Sequence, residues 1–284
     1  MKTTAVIGPG RVGTALGMAL HSAGYRVEAV AGRTPASVAA FIDRVPSAAA
    51  LSPAEAARRV ELVVVAVPDD QLAAVAAGVA RDDGVAEGSR WVHVSGGHGT
   101  EVLRPVRLAG AAVAACHPAQ TFPDPDTGLA ALPGSSWAVT ADEPDLGWAR
   151  VFVTDLRGTP VTVPARSRTL YHAGLTVGSN ATATVVTLAR DLLLGAGVED
   201  PGAFLGPLVT TSAANASDRG AAALTGPVRR GDAGTVAQHL QELRETLPEA
   251  VDAYVALSRL ALGYARRAGL DHDAADAVAA ALER

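Results

Sequence analysis

Cysteine is almost absent from this sequence, which has one, Cys116, in 284 residues. No internal disulfide can form, so we expect a reducing, cytoplasmic setting. Long apolar runs are absent as well, because every stretch that approaches the length of a membrane span is broken by glycine, proline or charge. The apolar run within the first ten residues is too short for a signal peptide. We therefore expect no membrane partner.

Clusters of positive charge are missing too. The chain has no run of lysines and arginines, and its formal net charge is −5. This pattern argues against nucleic acid and against anionic membranes as the main partner. With 49% hydrophobic and 19% charged residues, the composition is that of a globular chain long enough to bury a sizeable core. We assign no residue to a metal ion.

Strand and helix patterns alternate through the first half of the chain. Apolar, β-branched runs such as TTAVI (3–7), ELVVVAVP (61–68) and RWVHVSG (90–96) are each followed by a helical pattern. This alternation predicts a doubly wound parallel sheet. From residue 166 onward only helical patterns are found. We therefore predict an α/β chain with a Rossmann domain over 1–163 and an all-helical substrate and dimerisation domain over 164–284.

A glycine-rich turn follows the first predicted strand. Its G-x-G-x-x-G pattern consists of Gly8, Pro9, Gly10, Arg11, Val12 and Gly13. The pattern comes after a strand and opens a helix inside a βαβ unit, which is the context that a dinucleotide site requires. Gly8 permits the tight turn, Gly10 lets the backbone approach a pyrophosphate, and Gly13 lets helix and strand pack closely. The alternative is a purely structural turn.

The end of the second strand predicts which dinucleotide binds. NAD enzymes usually carry Asp or Glu there, which binds the ribose hydroxyls. This chain has Gly32, Arg33 and Thr34 instead, and Arg33 with Thr34 can hold a 2′-phosphate by charge and hydrogen bonds. We therefore predict NADPH as the cofactor. The alternative is that Arg33 is a solvated loop residue.

Two further segments are expected at the same edge of the sheet. Val67 and Pro68 end one buried strand, and Ser95 ends the next. Because the carboxyl ends of the strands line the cofactor crevice in doubly wound sheets, these residues are predicted to wall the nicotinamide. On position alone, ordinary strand-to-helix turns are an equal alternative.

Candidate catalytic residues come from two segments. His117, in CHPAQTF, follows a predicted strand and should reach the carboxyl edge of the sheet, where it could donate to a substrate oxygen. The alternative is that it only shapes the loop. His172, Thr176 and Asn180 are spaced at i, i+4 and i+8, which predicts one helix face that lines a pocket. The alternative for His172 is a helix packed tightly on its neighbour.

A third segment, the predicted loop 224–232, carries Arg229 and Arg230. Either guanidinium could hold a substrate carboxylate. Solvated arginines in a helix-ending turn are at least as plausible an interpretation.

Taken together, the motifs resemble a family of two-domain reductases. The segments GPGRVGTAL, AVPDDQL, VHVSGGHG, CHPAQTF, YHAGLTVGSNATA and LTGPVRRGDAGTVAQHL cover most of the chain in the family's order. The family joins a Rossmann-like domain to a C-terminal domain of unknown function of the 6-phosphogluconate dehydrogenase type. Ketopantoate reductase, pyrroline carboxylate reductase and prephenate dehydrogenase are related to it.

The resemblance also implies roles for the helix face. Ketopantoate reductase carries Lys, Asn and Asn where this chain has His172, Thr176 and Asn180, so only Asn180 matches. The resemblance implies that His172 replaces the lysine as general acid, since histidine can act so near neutral pH. The segment CHPAQTF resembles the His-Pro segment of prephenate dehydrogenases, which keeps that substrate class open.

We therefore expect an NADP-dependent oxidoreductase that reduces a small 2-oxo acid, with ketopantoate, and so pantothenate synthesis, as the leading candidate. Its expected partner is a small-molecule carboxylate substrate. The alternatives are an imine- or prephenate-type oxidoreductase on the same scaffold, and an NADPH-binding protein without turnover. A homodimer is expected, because the long small-residue helices of the second half need a partner surface.

Overall fold

A computed structural model describes residues 2–283 of the chain. Within them, eight strands form one sheet: β1 (Thr3–Ile7), β2 (Arg26–Ala31), β3 (Ala49–Ala50), β4 (Leu62–Val65), β5 (Arg90–His93), β6 (Ala112–Pro118), β7 (Ser136–Thr140) and β8 (Thr159–Thr162). The strand order is β3-β2-β1-β4-β5-β6-β7-β8. It contains the order of a doubly wound Rossmann sheet, so the predicted fold class is confirmed.

The sheet departs from the prediction at one edge. Strand β7 pairs antiparallel with β6, whereas the other neighbouring strands run parallel. The expectation of a wholly parallel sheet is therefore wrong for this edge, since an alternation of strands and helices does not encode strand direction. The two-residue strand β3 was not predicted either, because it is too short to show a pattern.

Fourteen α-helices are found in residues 2–283. They are α1 (Arg11–Ser22), α2 (Pro35–Arg44), α3 (Pro53–Arg58), α4 (Leu72–Arg81), α5 (Arg104–Leu108), α6 (Pro125–Ala131), α7 (Glu143–Asp155), α8 (Arg168–Thr176), α9 (Thr182–Gly195), α10 (Pro201–Arg219), α11 (Gly226–Arg230), α12 (Ala233–Thr246), α13 (Val251–Arg267) and α14 (His272–Ala281). None of the helices within this range has the length and apolar character that a membrane crossing demands.

Both faces of the sheet are covered, which explains why its central strands are apolar throughout. In β4, Leu62 and Val64 pack with α1 and α7 on one face, whereas Val63 and Val65 pack with α3 to α5 on the other. All four side chains are buried. A parallel strand buried on both sides loses the polar alternation of a surface strand. The continuous run that marks β4 in the sequence has this cause.

The chain divides into two compact units, the first ending at Ser179 and the second beginning at Asn180. The boundary predicted near residue 163 coincides with the end of the sheet, because β8 closes at Thr162. The first compact unit continues past it and takes in α8. Arg168, the first residue of α8, is buried against the sheet.

The second unit is helical, as predicted. Its apolar core is formed by α11 to α14, with Val236, Leu240 and Val278 fully or almost fully buried. The segment predicted as a loop over 224–232 contains the short helix α11, so that prediction is wrong. Its proline lies in the first turn of the helix, and Gly231 ends it in the left-handed conformation at φ +76°, a common helix terminator.

Candidate active site

The turn between β1 and α1 has the shape that its glycines predict. Gly8 has a φ of +100°, and a Cβ there would lie 2.6 Å from the carbonyl oxygen of Ala66. A Cβ on Gly13 would lie 2.0 Å from the carbonyl oxygen of Gly8. Gly10 differs from both, because nothing lies within 4 Å of its Cβ position. The turn is therefore closed on the protein side and open where a ligand would approach the helix N-terminus.

A cleft of about 520 Å³ opens at this turn. It is lined by Ile7, Gly8, Pro9, Gly10, Ala31, Gly32, Arg33, Thr34, Ser37, Pro53, Ala66, Val67, Pro68, Gln71 and Val75. Most of the residues predicted to bind the cofactor are in this list, but Arg11, Val12, Gly13 and Ser95 are not. No carboxylate is among the lining residues, so the cleft presents no negative side chain to a phosphate group.

The Arg33 end of the cleft is polar. Arg33 is exposed, and within residues 2–283 it makes no hydrogen bond or ion pair to another residue, so its guanidinium is free to meet a ligand. The hydroxyls of Thr34 and Ser37 lie 2.7 Å apart, and the Ser37 hydroxyl also donates to the Thr34 carbonyl oxygen at 2.9 Å. One cation and two hydroxyls therefore meet at the end of β2. Ser37 was not predicted from the sequence.

A hydrogen-bonded turn follows β5 at the next position along the sheet. The backbone N–H of Ser95 donates to Nδ1 of His93 at 3.2 Å, so Nε2 of His93 donates to the carbonyl of Gly99 at 2.7 Å. The hydroxyl of Ser95 accepts from the N–H of Gly97 at 3.2 Å. Burial lowers the pKa of His93 to about 4, so this histidine is neutral. Ser95 is 7% exposed and shapes the turn; a contact of Ser95 with the cofactor stays a prediction.

Two predicted catalytic histidines meet over this turn. A Cβ on Gly96 would lie 2.7 Å from Cδ2 of His172 and 3.1 Å from Nε2 of His117. The two imidazoles are nearly perpendicular, with ring centroids 6.0 Å apart. Because Gly96 has no side chain, both rings can approach the backbone of the turn. The structure therefore brings together two residues that are 55 positions apart and were predicted independently.

His117 is in contact with a residue that the sequence did not single out. Its Nδ1 lies 2.9 Å from the hydroxyl of Tyr171, and the two rings are edge to face. Burial, then the positive charge of Arg168, lowers the pKa of His117 to about 4. The imidazole is therefore neutral near pH 7. Burial raises the pKa of Tyr171, so the phenol keeps its proton.

Arg168 is buried beneath this cluster, with 1% of its surface exposed. It donates to the hydroxyl of Thr140 at 2.8 Å and to the carbonyl oxygens of Ser95, Ala115 and Ala138 at 3.1, 2.7 and 3.1 Å. These acceptors lie in β6, in β7 and in the turn that follows β5. Among the residues that the structure describes, no carboxylate forms an ion pair with Arg168. An unpaired buried charge is costly unless it is hydrogen-bonded, and here carbonyl and hydroxyl oxygens supply the bonds.

The imidazole cluster and the cleft share one loop. Val67, Pro68 and Gln71 line the cleft, and between them Asp69 Oδ2 comes within 3.8 Å of the Cβ position of Gly97. A ligand that follows the cleft past Pro68 therefore arrives at the turn against which the two imidazoles lie. This is the edge at which doubly wound folds bind their ligands.

The structure contains only part of the helix face that was predicted for His172, Thr176 and Asn180. His172 and Thr176 both lie in α8, and the Thr176 hydroxyl donates to the His172 carbonyl oxygen at 3.0 Å. A π-helical turn, Val177–Ala181, follows. Such a turn contains an extra residue, so the i+4 spacing of an α-helix does not continue through it. The assumption of one unbroken α-helix to Asn180 is therefore wrong, and a catalytic role for Thr176 or Asn180 stays a prediction.

The candidate carboxylate clamp lies in the second unit. Arg229 is part of α11 and donates to the carbonyl oxygen of Ala268 at 3.4 Å. This long hydrogen bond joins Arg229 to another residue of the second unit. The contact of Arg229 with a substrate carboxylate stays a prediction. In residues 2–283, no three His, Cys, Asp or Glu side chains are arranged to hold a metal ion.

Two family models match the chain. A model described as a Rossmann-like domain matches residues 2–118, and one described as a domain of unknown function (DUF2520) matches residues 135–261. The chain therefore combines a Rossmann-like domain with a C-terminal DUF2520 domain. No curated protein matches the sequence.

Solved structures share the fold over nearly the whole chain. A Bacteroides fragilis protein assigned as an NADP oxidoreductase is 23% identical, covers 92% of this chain and 97% of its own, and has a TM-score of 0.78. An imine reductase from Myxococcus stipitatus in complex with NADP⁺ is 19% identical over 99% of this chain and 100% of its own, with a TM-score of 0.67. A pyrroline-5-carboxylate reductase from Coxiella burnetii is 15% identical over 100% and 97%, with a TM-score of 0.58. At these identities the similarity concerns the fold.

Proposed function

We propose that this chain is an NADPH-dependent oxidoreductase that reduces a polarised double bond in a small molecule. The observation that carries the proposal is the meeting of His117 and His172 over Gly96, beside a dinucleotide-type cleft. An imidazole N–H can donate a hydrogen bond to a substrate oxygen. A fold alone does not define an activity, so the proposal rests on this site.

The residues of the cleft fit a bound NADPH. The open Cβ position of Gly10 leaves room for a pyrophosphate, and the N-terminus of α1 directs backbone N–H groups at it. Arg33, Thr34 and Ser37 supply one positive charge and two hydroxyls for a 2′-phosphate. Val67 and Pro68 would lie along the nicotinamide half. When bound, NADPH would supply a hydride. The NADP⁺ of the Myxococcus stipitatus imine reductase supports this choice of cofactor.

His117 and His172, which lie against the turn, would bind and polarise the substrate. His117 Nε2 faces Gly96, and we assign it the role of giving a proton to the substrate atom. His172, which the sequence favours for that role, also lies against Gly96, with its ring nearly perpendicular to that of His117. Preorganised donors of this kind stabilise the negative charge that develops in the transition state.

A small 2-oxo acid, with ketopantoate first, is the substrate class to test. It rests on the sequence resemblance, and Asn180 is its matching position on the helix. A cyclic imine is the second candidate, which the imine reductase and the pyrroline-5-carboxylate reductase favour. A prephenate-type substrate stays open through the His117-Pro118 segment. Binding without turnover is the remaining alternative.

A substrate panel tests the proposed function. The purified chain is mixed with NADPH and, in turn, with 2-oxo acids including ketopantoate and with cyclic imines, and the absorbance of NADPH is followed. We expect enzyme-dependent oxidation of NADPH with one class. Tight binding of NADPH without oxidation by any member would favour the non-catalytic alternative.

Changing Arg33→Asp should reverse the preference for NADPH. The substitution replaces the free cation by an anion that repels a 2′-phosphate and can accept from the ribose hydroxyls. A charged hydrogen bond contributes roughly 1.5–3 kcal/mol, so we expect the Kd of NADPH to rise about 10- to 100-fold and that of NADH to change little. Fluorescence titration of both cofactors measures this. Arg81→Asp, on an exposed arginine outside the cleft lining, is the matched control. An equal loss for both cofactors would remove Arg33 from cofactor selection.

We also propose that the chain forms a homodimer through its second unit. Helix α9 has no buried residue, and on α10 the side chains of Phe204 and Leu208 are 63% and 60% exposed. Exposed apolar residues grouped in this way are typical of an interface. A second copy is the simplest occupant, since most soluble oligomers are symmetric homo-oligomers. Light scattering should give twice the chain mass of 28.7 kDa, and Phe204→Asp should restore the monomer.

A further inference from the structure

His117 has a tyrosine and a buried arginine behind it. The Tyr171 hydroxyl lies 2.9 Å from Nδ1, on the side of the ring away from the Nε2 that faces Gly96. The guanidinium carbon of Arg168 lies 5.9 Å from the centre of the Tyr171 ring. Tyr171 and Gly96 therefore lie at the two different nitrogens of the His117 ring. The proposed function does not use Tyr171.

A lone imidazole in this position would be a poor acid. Burial and the charge of Arg168 lower the pKa of His117 to about 4, so very little imidazolium exists near neutral pH. A neutral imidazole that gives up its Nε2 proton without compensation becomes an imidazolate, which is a second unfavourable charge in a buried place. A proton must therefore enter at Nδ1 as one leaves from Nε2.

We propose that Tyr171 supplies this proton, so that Tyr171, His117 and the substrate form a relay with Arg168 as its fixed counter-charge. The inference rests on the proposed function and adds to it the source of the proton. Tyr171 acts through His117 and is a positioning residue in this scheme.

The relay couples two proton transfers to one hydride transfer, and its atoms and charges balance. As the carbonyl carbon of the substrate gains a hydride from the bound reductant, its C=O π bond breaks and the oxygen takes the proton from Nε2 of His117. The Tyr171 O–H bond breaks and a new N–H bond forms at Nδ1. The imidazole ends neutral, in its other tautomer, and the negative charge rests on the Tyr171 oxygen. Water then returns a proton to Tyr171.

The positive charge of Arg168 stabilises the negative charge that the relay places on the Tyr171 oxygen. The hydrogen bonds of Arg168 end on neutral oxygens of Thr140, Ser95, Ala115 and Ala138, so no carboxylate forms an ion pair with it in the described part of the chain. Glu101 acts on its charge without forming an ion pair. That charge lowers the pKa of Tyr171 against the larger, raising effect of burial. The tyrosine is thus protonated at rest and is stabilised as the anion during the step.

The other charged and titratable groups around His117 do not replace Tyr171. His172 lies on α8, Asp69 follows β4, and His93 lies on β5. His93 uses both of its ring nitrogens within the turn, and Asp69 is exposed. Cys116, the neighbour in sequence, is fully buried, and burial raises the pKa of its thiol to about 12.

The relay also separates the two substrate classes. A carbonyl oxygen needs a proton while the hydride arrives, whereas an iminium nitrogen already carries one. The relay therefore assigns a carbonyl substrate, and it should be dispensable for any protonated imine that the site accepts.

Tyr171→Phe tests the relay, since it keeps the ring and removes the hydroxyl. The control is Tyr254→Phe: Tyr254 bonds Nδ1 of His239 at the same 2.9 Å, with ring centroids 5.8 Å apart, in the second unit. With a carbonyl substrate we expect kcat of Tyr171→Phe to fall roughly 100-fold while KM and the Kd of NADPH stay unchanged. Its remaining activity should fall about tenfold per pH unit above pH 5, because only imidazolium can then donate. Tyr254→Phe should have the unmodified profile.

A measurement without turnover completes the test. Imidazole ¹⁵N NMR of the unmodified chain, with His117 assigned by the loss of its signals in His117→Asn, should show a neutral ring protonated on Nε2 from pH 5 to 8. An Nδ1–H tautomer would overturn the relay, because Tyr171 would then be the acceptor. Turnover with an unchanged Tyr171→Phe profile would overturn the relay alone. Absence of turnover by the unmodified chain would overturn the proposed function, and the relay with it.

Discussion

Replacing His117 by alanine should lower kcat by about 10²- to 10⁴-fold, the usual contribution of a positioned general acid. The substitution removes Nε2, which faces Gly96, and leaves the cleft residues untouched. The Kd of NADPH should therefore stay within about threefold of the unmodified value, which corresponds to less than 1 kcal/mol. Steady-state kinetics and a fluorescence titration measure the two quantities.

Two controls belong to this experiment. His239→Ala removes a histidine with the same kind of tyrosine partner outside the site, and it should leave kcat unchanged. His172→Ala removes the other imidazole at Gly96, and its effect on kcat should be smaller than that of His117→Ala. The reverse order would return the role of proton donor to His172, as the sequence resemblance implies. Full activity in both variants would exclude this cluster from catalysis.

Gly13→Ala should lower the stability of the fold, whereas Gly10→Ala should lower the affinity for NADPH. A Cβ at position 13 would lie 2.0 Å from the Gly8 carbonyl oxygen. Overpacking of this kind costs roughly 3 kcal/mol, which should lower Tm by about 6–12 °C. At position 10 no atom lies within 4 Å, and φ is −80°. Gly10→Ala should therefore keep its Tm but lose at least about tenfold in NADPH affinity, since the methyl group occupies the space of the pyrophosphate.

Thermal unfolding without cofactor and a binding titration separate these effects. The two variants have the same chemical change, three residues apart, so each is the control of the other. An unchanged Tm for Gly13→Ala would contradict the packing of the turn. Unchanged NADPH binding by Gly10→Ala would contradict the placement of the cofactor.

The sequence predicts those features that depend on local patterns. The buried strand β4 and the glycine turn follow from hydrophobic runs and from backbone constraints within a few residues. Strand direction at β7 does not, because antiparallel pairing of β6 and β7 is decided by the route of the chain between them. The π-helical turn after Thr176 is a similar case, since one extra residue leaves the hydrophobic pattern almost unchanged.

In the candidate site, too, only the residues marked by local patterns could be predicted from the sequence. His117 and His172 are predicted from their segments, whereas Tyr171 gains its role only when α8 lies on the sheet, 54 residues from its partner. Arg168 is the clearest case. An arginine at a helix start is normally expected in solvent, but here β6, β7 and the turn after β5 present carbonyl oxygens to it. Such a convergence of distant carbonyls leaves no signal in the local sequence.

A crystal structure of the chain with NADP⁺ would test the central claim, that the cleft and the imidazole cluster form one oxidoreductase site. We expect the 2′-phosphate at Arg33, the pyrophosphate over Gly10, and the nicotinamide past Pro68 with its C4 directed toward His117 and His172. A nicotinamide directed away from His117 and His172, or a dinucleotide bound elsewhere, would contradict the account.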